Sequence, residues 1–202
     1  MKRIGVERYV EDYRIVEYTN AKGKIKRKAE YIGQWYVPLI SEQEQHKMHI
    51  VFWTVSLIIF VSNAAALLLP YAADSELYVV LPCALSLFPA LYLIMALFAQ
   101  PKVGKRMERI QYEHGYLRVG RSSVAIMILC GVAMIGAIVY DSLCLVHKVE
   151  KTLGISDALF LVLVLFIIGL SVFLFIHTRK MEISLEENLL ETEEKRWENA
   201  EN

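Results

Sequence analysis

Four stretches of this chain contain no Asp, Glu, Lys or Arg: residues 50–69, 77–99, 122–140 and 158–176. Each is 19 to 23 residues long. At 1.5 Å of rise per residue, about 20 helical residues cover the roughly 30 Å of hydrocarbon in a bilayer. A helix on the surface of a soluble core keeps a polar face; these runs have none, so each is expected to cross a membrane. The composition agrees, with 55% hydrophobic residues and a mean hydropathy of +0.37, whereas soluble domains average about 45–50% apolar. The fold class expected is an all-α membrane protein: four transmembrane helices, a small cytosolic β-hairpin and an amphipathic loop helix.

The basic residues give the orientation. Lys and Arg crowd the segment before the first run and the loop 100–121, while the loop PYAADSE has none and HKVEKTLGISD has two. Basic loops stay in the cytoplasm, so both termini are expected there, in a multi-pass protein of the cell membrane. Three regions follow: a cytosolic arm over residues 1–41, a four-helix domain over 42–177 that includes the loop 100–121, and an acidic cytosolic tail over 178–202. A charged segment precedes the first run, so no cleavable leader is expected and the first span should direct insertion.

The arm is patterned. In DYRIVEYTNAKGKIKRKAEYIGQWYVP, β-branched and aromatic residues flank Asn20-Ala21-Lys22-Gly23, the signature of a hairpin with glycine in its turn. Ile25, Ala29, Tyr31 and Trp35 alternate with Lys24, Lys26, Lys28 and Glu30 on the second strand, and Arg27 breaks the apolar side. A lone hairpin is marginally stable, so it should pack on something. Lys24, Lys26, Arg27 and Lys28 could hold anionic lipid headgroups or be a solvated tip that enforces orientation. Nucleic acid is not expected as a partner. Ser41 with Glu44 forms a capping box, which places the start of the first helix near Glu42.

Pro101 should stop span two. Val103, Met107, Ile110, His114 and Leu117 then make one apolar stripe on a short basic helix, suited to the headgroup plane or to covering the hairpin. In the tail, Ile183, Leu190 and Trp197 recur at seven with Leu189 alongside, suggesting a docking helix or an extension of span four.

Candidates for chemistry are few. Glu42, His46 and His49 stand at i, i+4 and i+7 on one helix face, so a metal or proton site is conceivable there, although HKMH lacks the spacing of the HExxH motif. His114 and His177 also fall near the cytosolic face. Asn63 is the polar residue deepest in a span, on a stripe with Ser56, Ile59 and Ala66; interhelical hydrogen bonding is its simplest role. Ala133, Gly136 and Ala137 offer a surface for close helix packing. Pro82 fits the first turn of span two, and Pro89 should kink it. Asp141 arrives after about 28 Å of span three. It is best read as the outer terminus of the span, the sharper reading being an acid in an outer vestibule sharing a face with Cys144 and His147. Cys83, Cys130 and Cys144 form no disulfide framework, though a Cys83–Cys144 bridge is conceivable.

No phosphate-binding glycine loop, GxSxG elbow or CxxC pair appears, and no cofactor is expected. Three functions remain. The preferred one is a non-catalytic accessory or regulatory subunit, binding a protein partner or a second copy through arm, loop helix and tail. The second is a small oligomeric transporter or channel, with Asn63, Ser86 and Asp141 lining its path. The third, a membrane enzyme using the cytosolic histidines, comes last.

Overall fold

A computed structural model describes residues 7–19, 24–100, 106–146 and 154–186. The elements are α1 (Glu7–Val10), β1 (Tyr13–Thr19), β2 (Ile25–Tyr31), β3 (Trp35–Pro38), α2 (Glu42–Leu68), α3 (Leu77–Phe98), α4 (Arg109–Tyr112), a π-helical turn (Glu113–Leu117), α5 (Arg118–Leu145), α6 (Ile155–Arg179) and β4 (Ile183–Glu186).

Four helices are long and apolar enough to cross a membrane. They pack in a ring in which α2 touches α3, α3 touches α5, α5 touches α6 and α6 returns to α2. Short connections make consecutive helices antiparallel neighbours. Only 28% to 39% of each apolar window is buried. The rest, including Leu81, Leu85, Phe88, Ile128, Ile135, Val162 and Leu165, faces outward. A soluble monomer rarely exposes apolar surface on that scale, and lipid is the solvent that suits it. Inside, small and neutral polar residues (Ser56, Asn63, Ala66, Ser86, Ala90, Ser123, Ala133, Ala137 and Ser171) are buried among large apolar ones such as Phe52, Leu93, Phe160 and Ile167. Small side chains let helix backbones approach, which drives association where no hydrophobic effect acts.

α2 starts at Glu42 with the expected capping box. The Ser41 hydroxyl accepts from the Glu44 N–H at 3.3 Å, and the Glu44 carboxylate accepts from the Ser41 N–H at 3.3 Å. Pro82, expected in the first turn, lies past it inside α3, as Pro89 does, because the helix already starts at Leu77.

The hairpin forms in the expected place, its turn 20–23 lying outside the described residues. Arg27, the odd residue on the apolar side, stands opposite Glu17 and pairs with it at 2.7 Å. The second strand stops at Tyr31, and Trp35 opens a separate strand, β3, which pairs with β4 in a second two-stranded sheet.

Two expectations need correction. Among its described residues the loop 100–121 does not carry a separate amphipathic helix. Met107 sits in an extended bridge with Tyr36, and from Arg109 the chain is helical without a break to Leu145. Ile110, His114 and Leu117 therefore belong to the root of the third span; Val103 lies outside the described residues. The physical reason is that buried Met107 is held by the β3 backbone, whose two hydrogen bonds at 2.9 Å compete successfully with helix. Among the described residues the tail does not continue span four as helix beyond Arg179. Its first residues leave α6 at Lys180 and form β4, because β3 offers an unpaired edge. Leu189, Leu190 and Trp197 lie outside the described residues.

Candidate functional site

Among the described residues, ionisable and hydroxyl groups gather at one end of the bundle, where three segments far apart in sequence meet. The arm docks on the root of the third span through tyrosines. The Tyr13 hydroxyl donates to Glu108 Oε2 at 2.5 Å, and the Tyr9 hydroxyl donates to Glu113 Oε2 at 2.7 Å. The Tyr31 hydroxyl donates to the Gln34 carbonyl at 2.8 Å and accepts from the Arg109 N–H at 3.0 Å. Arg109 Nε donates to Glu113 at 3.0 Å, while its terminal nitrogen faces Asp12 at 3.7 Å, an ion pair beyond hydrogen-bond distance.

Aromatic packing fills the space between. Tyr31 meets Tyr13 and Trp35 edge to face at 5.2 and 4.9 Å, and Tyr36 stacks on Tyr112 at 4.6 Å. Burial, with the charge of Glu108, pushes the Tyr13 hydroxyl well above its ordinary value; burial also raises Tyr31. Both stay protonated donors at neutral pH. β4 closes the unit, with Arg106 paired to Glu186 at 3.2 Å. None of the tyrosine contacts was read from the sequence. The signal was present as Tyr9, Tyr13 and Tyr31 in an arm facing Glu108 and Glu113, but pairings across about a hundred residues leave no local periodicity.

The predicted headgroup residues Lys24, Lys26, Arg27 and Lys28 lie on the exposed far part of the hairpin, away from this docked base.

The predicted path residues separate. Asn63 and Ser86 do meet: the Ser86 hydroxyl lies 2.5 Å from Asn63 Oδ1 and 2.6 Å from the Cys83 carbonyl. Cys130 from α5 adds a weak contact to the same Asn63 oxygen at 3.8 Å, and Asn63 Nδ2 donates to the Ile59 carbonyl at 3.2 Å. All three side chains are fully buried. This knot ties three helices at one point. Ser56, on the same stripe of α2, is fully buried with no partner for its hydroxyl among the described residues. Asp141 does not join the knot. It stands in the last turns of α5, half-buried, well along the helix from Cys130.

The acid that does most at that end is one the sequence reading passed over. Asp157 in the first turn of α6 is buried. Its Oδ2 accepts from the Gly154 N–H at 2.6 Å, and its Oδ1 accepts from the Ala72 N–H at 2.5 Å. The carboxylate thereby clasps the α2–α3 loop to the start of α6, and Tyr71 stacks on Phe160 at 4.0 Å beside it.

Among the described residues no three His, Cys, Asp or Glu side chains come together to hold a metal. The trio Glu42, His46 and His49 does not gather into such a group. Seven residues of helix separate its ends by about 10 Å, and among the described residues no other element brings a further ligand; His49 packs near Trp53 with ring centroids 6.4 Å apart. Cys83, Cys130 and Cys144 are all buried and free, so no Cys83–Cys144 bridge forms.

Fold and composition thus define a class, a multi-pass helical bundle with the length and apolarity of a membrane protein. No protein-family model, curated protein or solved structure matches the chain.

Proposed function

We propose that this chain is a non-catalytic accessory subunit of a membrane assembly, presenting a folded platform to a partner protein. The platform comprises the arm, the root of the third span and β4. One observation carries the reading: the ionisable groups gather at that end in a built tertiary unit, while the buried bundle holds mainly neutral groups satisfied by one another. The basic residues of the same end, Arg106, Arg109, Arg118, Arg121, Arg179 and Lys180, support a cytoplasmic placement of platform and termini in the cell membrane. The exposed hairpin arm beyond the docked base is the surface available to the partner.

The test is purification of the full chain from its native membranes in mild detergent. A stoichiometric second chain, lost when K24E, K26E and K28E are combined, is the expected result. A monodisperse chain with no companion would overturn the reading.

The alternative, a small oligomeric transporter or channel, draws on buried Ser56, whose hydroxyl lacks a partner among the described residues on the stripe that carries Asn63. It requires solute flux in proteoliposomes that falls when Asn63 is replaced by Leu. The mutual hydrogen bonds of Asn63 and Ser86 weigh against it, because a wet path would compete for them.

A further inference from the structure

We propose that the cleft between α5 and α6, at the platform end, is a binding site for one anionic phospholipid. The cleft encloses about 540 Å³. Arg121 and Arg179 enter it from the two helices, and its walls include Tyr116, Thr178, Val124 and Phe175. No Asp or Glu lines it. Among the described residues neither arginine has an acidic partner. Arg179 lies over the Phe175 ring at 5.2 Å, which orients its guanidinium without neutralising it.

Charge alone would fit any phosphate. The surroundings select a lipid. Below each arginine the same helix face continues as apolar surface: Arg121 is followed by Val124 and the exposed Ile128, and Arg179 by Phe175 and the exposed Val172. Steps of three, four and seven residues keep these on one face. Two guanidinium groups thus stand at the head of two apolar rails, which is the polarity of a phospholipid. Arginine pairs with phosphate in a bidentate fork. A zwitterionic headgroup would bring its own cation against the same two arginines, so an anionic headgroup is preferred.

Two local features border the cleft. The π-helical turn Glu113–Leu117 resets the helix just before it, and Tyr116 reaches the wall from that turn; such turns recur at functional sites. Gly120 leaves space on the α5 side. A β-carbon there would meet only Thr178 Oγ1 at 3.6 Å, an ordinary contact, so packing does not demand glycine, and a larger side chain would enter the cleft.

The test uses the full chain in nanodiscs of phosphatidylcholine with phosphatidylglycerol, reading retained lipid by native mass spectrometry. Wild type should retain phosphatidylglycerol preferentially. R121Q/R179Q should bind it about thirtyfold more weakly, as the loss of two interfacial cations implies. Gly120→Leu, which keeps both charges, should also lose it. K24Q/K26Q/R27Q/K28Q should not, since the hairpin is a separate basic surface. Equal retention of the two lipids by wild type, or unchanged retention by R121Q/R179Q, overturns the proposal. So does displacement by soluble glycerol phosphate, which would assign the cleft to a soluble ligand. Circular dichroism reports whether R121Q/R179Q folds; if it does not, Gly120→Leu decides alone, with retained preference counting against the site.

Discussion

The Arg109 backbone N–H donates to the Tyr31 hydroxyl at 3.0 Å across 78 residues of sequence. An N–H at a helix start has no partner within its own helix. Here the arm supplies one, and so covers the root of the third span. Tyr31→Phe removes this acceptor and the donor to Gln34 together. The expected cost is about 1–2 kcal/mol of docking, seen as faster amide exchange at Arg109 and through β3. Tyr18→Phe, on the exposed part of the same hairpin, should change neither.

Gly33 sits where the chain passes this hydroxyl. A β-carbon there would lie 2.8 Å from Tyr31 Oη and 3.1 Å from Asp12 Cβ. The hydroxyl is tethered to Gln34 and Arg109, so it does not swing aside freely. Gly33→Ala should destabilise arm docking by about 1–3 kcal/mol, the usual range for overpacking. Limited proteolysis should then cut the arm sooner, with cleavage within the bundle unchanged.

The docked arm should respond to alkali. Tyr13 donates to Glu108 and its hydroxyl is held well above the ordinary tyrosine value, first by burial and then by Glu108. A raised folded value favours the protonated form in the docked state. The contribution is therefore whole below the unfolded value of about 10 and is lost as pH rises from there toward the folded value. Arm protection should be flat in this respect from neutral pH to about 10 and fall above it. Tyr13→Phe should weaken docking at neutral pH and remove this part of the alkaline fall.

The four long apolar helices, the hairpin and the Ser41–Glu44 cap were legible because each leaves a local mark: an uncharged run, a turn glycine between alternating strands, a box of four residues. Arg27 shows the limit. It looked misplaced until Glu17 stood across from it. The stripe from Met107 to Leu117 misled because a helical period fits both a free helix and the root of a longer one, and Met107 was taken by a strand contact instead. β4 was hidden for the same reason, since its partner lies about 150 residues earlier. Among site residues, Asn63 and Ser86 converge, yet neither spacing nor composition showed that Cys130 would meet them. Asp157 was overlooked because it sits at the edge of a run, where an acid is ordinary.

The buried knot makes a quantitative test of the bundle. Asn63 Oδ1 has Ser86 and Cys130 as its contacts, and the Ser86 hydroxyl also reaches the Cys83 carbonyl. Ser86→Ala should cost little, about 0.6 kcal/mol, the mean for such pairs in membranes. Asn63→Ala should cost more, because it also opens a cavity. A double-mutant cycle in detergent unfolding should return a coupling for Asn63–Ser86 and none for Asn63–Ser171, whose hydroxyl bonds back to Ile167 in its own helix.

At the opposite end Asp157 holds two separate backbone amides with one carboxylate. Its neighbours explain why the loop needs it: Tyr71 must lie flat on Phe160, and Ala72 follows immediately. Burial and the charge of nearby groups lift the Tyr71 hydroxyl to about 12, so the ring stays neutral in its packed place. Asp157→Ala should release both the Ala72 and the Gly154 N–H. Hydrogen bonds to a charged group contribute about 1.5–3 kcal/mol each, so a loss of several kcal/mol is the upper bound. Asp157→Asn keeps one acceptor and should recover part of it. The discriminating reading is a bulky probe on a cysteine at position 75, in the α2–α3 loop. Its mobility should rise in Asp157→Ala and rise less in Asp157→Asn, while the same probe placed on the hairpin should report no change. Equal mobility at position 75 in all three proteins would mean that Tyr71 and Phe160 hold the loop without the carboxylate.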